Sequence, residues 1–167
     1  MPTSPFTPAA AKWFGTHHGV ATAAELQRCH VGRKALARLM RLGVVVRFAR
    51  GVYVLTSAEP TLEHRCRMLS CLYPSGFVTG PAAAVLAKLR RQPRTFLVDI
   101  CLPHGVHIDP MPGVRFRQST KIRRDDRRRR DDGITVASAP RLAFDLAATT
   151  RRSTTSRSWS RCVIAAW

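Results

Sequence analysis

No stretch of the 167 residues approaches the roughly 20 consecutive apolar positions that span a bilayer. The opening MPTSPFTPAAAKWF has no apolar core behind a basic start, so it does not read as a secretory signal. The five cysteines (Cys29, Cys66, Cys71, Cys101 and Cys162) are odd in number and irregularly spaced. They form no disulfide framework, and a reducing cytoplasm is the expected setting. Glutamate is scarce, at positions 25, 59 and 63 only. A metal-dependent nuclease would need separated carboxylates with a lysine, and Asp99 has no acid-x-Lys pair on a following strand. No phosphate-binding glycine loop and no G-x-S-x-G is present. Catalysis is therefore not expected, and neither is a cofactor.

Basic charge is what the chain has in excess. Lys and Arg number 28 against 10 acids, for a formal net charge of +18. Lysine occupies only positions 12, 34, 88 and 121, so the excess is arginine. Self-repulsion of that size favours a polyanionic partner, with nucleic acid first and an acidic membrane surface second. The apolar fraction of 45% still supports an ordinary core.

The pattern predicts an α+β protein, with an N-terminal winged helix-turn-helix over residues 9–57 and a small α+β domain over 60–148. Residues 1–8 read as a loose arm. Ala9–His17 reads as a helix anchored by Trp13 and Phe14 and ended near Gly19, with His17 and His18 capping its end. Thr22 with Glu25 three positions on forms a capping box for a helix over Ala23–Cys29. His30-Val31-Gly32 makes a tight turn. A second helix is expected over Arg33–Leu42, with Leu36, Leu39, Met40 and Leu42 on one side and Gly43 after its end. Val44–Phe48 and Val52–Leu55, joined by Ala49-Arg50-Gly51, read as a β-hairpin. Further on, helices are expected over Leu62–Leu72, Pro81–Leu89 and Pro140–Ala148. Strands are expected over Thr95–Leu102, Val114–Gln118 and Ile134–Val136.

In a helix-turn-helix the second helix enters the major groove, where Arg pairs bidentately with guanine. The candidate DNA-binding residues are therefore Arg33, Lys34, Arg38 and Arg41 on that helix, with Arg47 and Arg50 on the wing. Lys34, Arg38 and Arg41 share a face opposite the apolar stripe, while Arg33 and Lys34 lie at the end that meets base edges. The charge run 120–133, TKIRRDDRRRRDDG, reads as a solvated loop because Asp125, Asp126, Asp131 and Asp132 offset much of its charge, with a phosphate clamp over Arg123–Asp132 as the alternative. Cys101, His104 and His107 are spaced C-x2-H-x2-H, but a fourth ligand is missing and the spacing matches no common zinc site. No metal site is expected. Residues 149–167 carry no acid and no helical or strand period, and they read as a truncated or frameshifted tail.

Four blocks carry a resemblance to a known family. They are GVATAAELQRCHVGRKALARLMRLGVVVRFARGVYVL (Gly19–Leu55), FVTGPAAAVLAKL (Phe77–Leu89), TFLVDICLPHG (Thr95–Gly105) and DDGITVASAPRLAFDLA (Asp131–Ala147). In this order they resemble the AbiEi-type antitoxins of type IV toxin–antitoxin systems, in the actinobacterial form. Thr22, Leu26, Arg47, Arg50, Gly51 and Tyr53 fit the first block's pattern. Arg141 and Asp145 keep the last, where Leu142 stands in place of a Thr. The resemblance implies an autoregulating winged-helix repressor that binds double-stranded DNA at its own promoter. It also implies a following domain that neutralises a nucleotidyltransferase-like toxin. Relatives continue beyond D-L-A, so a C-terminal truncation is expected here. Two alternatives stand beside this reading. One is a purely protein-binding antitoxin. The other is the remnant of a very-short-patch-repair-like endonuclease that lacks its catalytic domain.

Overall fold

Thr7 starts the first helix: its hydroxyl accepts the Ala10 N–H at 3.1 Å, and Pro8 takes a first-turn position that needs no donor. The computed structural model describes residues 6–90 and 97–150, with side chains to Ala148. It divides into two units: Met1–Leu72 with Asp131–Ile134, and Tyr73–Arg130 with Thr135 onward. The fold is α+β, as expected. Residues 149–150 have no described side chains and 151–167 lie outside the described residues, so the expected irregular tail does too.

The first unit runs α1 (Pro8–Thr16), β1 (Val20–Thr22), α2 (Ala23–Arg28), α3 (Arg33–Arg41), β2 (Val45–Ala49), β3 (Val52–Leu55) and α4 (Leu62–Leu72). Its three strands are antiparallel in the order β1-β3-β2. This is the arrangement of a winged helix. The capping box at α2 forms as the sequence predicts: Thr22 Oγ1 accepts the Glu25 N–H, and Glu25 Oε2 accepts the Thr22 N–H at 2.8 Å. His17 is the C-cap of α1, its ring stacked 3.7 Å from that of Trp13. Strand β1 was not among the expected elements. Three residues are too few to show a period, and Thr22 serves at once as strand end and helix cap.

The small sheet is buried on both faces, because successive strand residues point to opposite sides. Ala21, Val45, Tyr53 and Leu55 face the helix-turn-helix core of Phe14, Leu26, Val31, Leu36 and Leu39. Val20, Val52 and Val54 face Met68 of α4 and its neighbours Cys71 and Leu72. Helix α4 therefore belongs with the first unit, although the sequence pattern placed it at the start of the second domain. A hairpin with two apolar faces needs a second cover, and α4 supplies it. Met40 and Leu42, expected on the buried stripe, are 36% and 59% exposed. Met40 sits at the rim of the stripe, and Leu42 is the C-cap beyond the last turn.

Among the described residues, the second unit is a five-stranded sheet with two α-helices. Its strands are β4 (Phe77–Thr79), β5 (Val98–Pro103), β6 (Val114–Ser119), β7 (Arg127–Arg129) and β8 (Thr135–Ala137), in the order β6-β5-β4-β8-β7. Helix α5 (Gly80–Leu86) and helix α6 (Ala139–Thr150) pack against each other, and α5 lies on β4 and β5. Strand β4 was foreseen only through the resemblance of the Phe77–Leu89 block. Helix α5 ends three residues earlier than the expected Leu89.

The Arg141 and Asp145 of the resembled pattern have a structural explanation. Arg141 pairs with Asp145 at 3.2 Å and with Asp126 at 3.1 Å, and its guanidinium lies over the Phe77 ring. Asp145 in turn accepts the Thr79 hydroxyl at 2.6 Å. The pair thus ties α6 to β4 and to the turn before β7. Leu142, which departs from the resembled pattern, is buried in the core.

The charge run departs from its expected solvated loop. Arg124–Asp126 forms a 3-10 turn, and Arg127–Arg129 is edge strand β7, paired with β8. Asp126 accepts the Arg123 N–H at 2.9 Å and so closes the turn. Like charges along an exposed edge also discourage pairing with another chain.

Candidate nucleic-acid interface

Helix α3 buries Leu36 and Leu39 and leaves Arg33, Lys34, Ala37, Arg38 and Arg41 exposed. The 3.6-residue period puts Lys34, Arg38 and Arg41 along one outward face. Among the described residues, no ion pair engages any of these four basic side chains. Gly32 is the N-cap and offers no side chain, so the first-turn N–H groups beside Arg33 and Lys34 lack a side-chain acceptor. The preceding turn is held from within: Val31 N–H donates to Leu26 O at 2.9 Å, and the Val31 side chain is buried.

The wing is short. Arg47 pairs across from Tyr53, and a register shift follows before Ala49 meets Val52. Arg50 and Gly51 form the tip. Gly51 has φ +78° with open space around a notional Cβ, so backbone conformation rather than room calls for glycine. Arg47 and Arg50 are both exposed, and Arg47 Nε donates to Ala49 O at 3.4 Å. All six sequence-expected residues thus lie on the surface of one winged-helix unit.

Residues 9–56 match the family model described as transcriptional regulator, AbiEi antitoxin. The match runs from α1 through the end of the wing and so takes in α3 and both wing arginines. The chain is also similar to a crystal structure of the RV2827C protein from Mycobacterium tuberculosis, at 20% identity and a TM-score of 0.45. That match covers 85% of this chain, which spans 59% of the other protein's length. No curated protein matches.

Beneath the helix-turn-helix lies a buried charge network that the sequence did not reveal. Arg67 of α4 is 1% exposed. Its Nη2 donates to both Glu25 carboxylate oxygens, at 2.7 and 2.8 Å, and its Nη1 donates to Gly133 O at 2.9 Å. Gly133 has φ +78°, and a Cβ there would press on the Arg67 guanidinium, so no other residue allows this approach. Next to it, His18 meets Asp132 at 3.1 Å. Burial alone would raise the Glu25 carboxyl, but the Thr22 N–H and the Arg67 guanidinium outweigh it and hold it below its ordinary value. Burial first, then the Arg67 charge, holds the His17 imidazole below its ordinary value.

Both shifts make acid destabilising. The unfolded chain protonates His17 near its ordinary 6.5, above the pH at which the folded protein does so. Stability therefore declines as pH falls through that value. Glu25 contributes fully above its ordinary 4.5, and that contribution is lost as pH falls through its depressed folded value. Melting temperature followed against pH should show two declining steps, with the first missing in His17→Gln. A wild-type melting temperature that stays level from pH 7 to pH 5.5 contradicts the His17 assignment.

Cys101, His104 and His107 are not brought together as ligands. Cys101 is buried, with its Sγ 3.6 Å from Arg141 Nη2, and burial pushes its thiol up. His107 turns to Asp109 at the surface. Among the described residues, no group of three His, Cys, Asp or Glu is placed to hold a metal ion. No described helix is long and apolar enough to cross a membrane.

Proposed function

We propose that the chain is a sequence-specific, double-stranded-DNA-binding repressor of its own promoter, acting in the cytoplasm by binding rather than by catalysis. One observation carries this reading. Helix α3 hides its apolar side in a winged-helix core and turns Arg33, Lys34, Arg38 and Arg41 outward, beside a wing tipped with Arg50. Arg33 and Lys34 meet base edges, Arg38 and Arg41 hold phosphates, and Arg47 and Arg50 grip the backbone from the wing. The description of the matched family as an antitoxin supports a toxin as second partner, and the resemblance of the sequence blocks makes a nucleotidyltransferase-like toxin the one proposed.

The test is a titration of the full chain against its promoter duplex and a random duplex at several salt concentrations. A promoter preference of about a thousandfold or more is expected. Equal affinities with a steep salt dependence overturn the proposal, because the net charge would then act without reading sequence. In the same assay, Arg50→Ala should weaken both duplexes alike and reduce the salt slope by about 1.

A further inference from the structure

The second unit carries an open cleft of 620 Å³ lined by Ser75, His104, Ser119, Thr120, Arg123, Arg124 and Arg127, with Pro103 and Ile122 as its apolar part. Every polar side chain in this lining can donate a hydrogen bond, and no carboxylate lines it. The surrounding segment 115–130 contains eight arginines and one lysine against two aspartates. The acids of the charge run do not neutralise the cleft. Asp126 is turned to Arg141 and to the Arg123 backbone, and Asp132 is turned to His18. Asp125 is exposed and does not line the cleft. Among the described residues, neither Arg123 nor Arg124 has a carboxylate partner.

The cleft is also built rather than loose. Arg127 Nη1 donates to Ser75 O at 2.8 Å, which fixes its guanidinium at one wall. The 3-10 turn and the β7–β8 ladder hold the backbone under Arg123, Arg124 and Arg127. Guanidiniums with hydroxyl and imidazole donors around an open trough match the oxygens of a phosphate-bearing polymer. We propose that this cleft is a second nucleic-acid site, which holds backbone phosphates without reading bases. The nucleic-acid occupant rests on the DNA-binding reading above, but the phosphate chemistry of the cleft does not.

The test uses the full chain and the double variant Arg123→Ala/Arg124→Ala, both exposed positions outside the core. In the first arm, inorganic phosphate is added while the His104 ring signals are followed by NMR, assigned with His104→Gln. A saturable shift in the wild type that vanishes in the double variant is expected. A shift that grows linearly and equally in both proteins means an adventitious ion only, and overturns the site. In the second arm, promoter and random duplex are titrated across salt. The slope should fall by about 2 on both duplexes, with the ratio between them unchanged. An unchanged slope overturns the nucleic-acid occupant and assigns the cleft to an acidic protein surface instead. If the wild type shows no promoter preference, the repressor reading fails alone, because the phosphate arm still decides the cleft.

Discussion

Arg33→Ala or Lys34→Ala should weaken promoter binding by about 1–3 kcal/mol while leaving random-duplex affinity much less changed. The asymmetry follows from position. These two residues sit at the N-terminal end of α3, where a recognition helix meets base edges, and their side chains are exposed, with no ion pair among the described residues. Removing a base contact costs only the sequence that supplied the matching acceptors. Arg38 and Arg41 lie further along the same helix, and their removal should lower affinity for every duplex by similar factors. The measurement is the ratio of promoter to random-duplex affinity for each variant at fixed salt. Equal losses on both duplexes for all four substitutions would remove the base-reading role and leave α3 as a charged docking face.

Arg67→Ala should destabilise the first unit by about 3–5 kcal/mol, more than any surface substitution on α3. The side chains of Arg67 and Glu25 are 2% and 4% exposed, so truncating the arginine takes from a buried carboxylate the guanidinium that both its oxygens face. It also strips Gly133 O of its donor. Arg67→Met combined with Glu25→Gln should recover much of that loss, since neither a buried charge nor a large void then remains. Urea unfolding of the single and double variants measures both quantities. A cost below about 1 kcal/mol for Arg67→Ala would show that water reaches the pair and that its burial is not maintained in solution. The network already contains one imperfection, since Arg67 Nε is buried without a partner. The favourable contacts of its two Nη groups must offset that cost as well.

Local chemistry made the winged helix legible in the sequence. A capping box, a tight turn, a helix with one apolar side and a glycine-tipped hairpin each depend on residues a few positions apart. Their order identified α1, α2, α3, β2 and β3 and all six basic candidates. Strand β1 was missed because it is three residues long and completes its ladder with Val52–Val54, 30 to 34 positions away. The sequence also misjudged segment 120–133. Charge counting let its aspartates offset its arginines in a solvated loop, whereas the segment forms a 3-10 turn and strand β7, with Asp126 on Arg141 and Asp132 on His18.

The sequence by itself determined that the chain is basic, that its N-terminal part forms a helix-turn-helix with a wing, and which side of the second helix faces outward. These follow from period and from short-range caps. The tertiary structure alone decided that α4 covers the back of the wing sheet, that Glu25 is both a helix cap and the partner of a buried arginine, and that His104 shares a cleft with Arg123 and Arg124. Each of these depends on residues about 16 to 48 positions apart meeting across a sheet or a core. No local propensity encodes such meetings, because the favourable term comes from burial and charge pairing that exist only once the chain has closed.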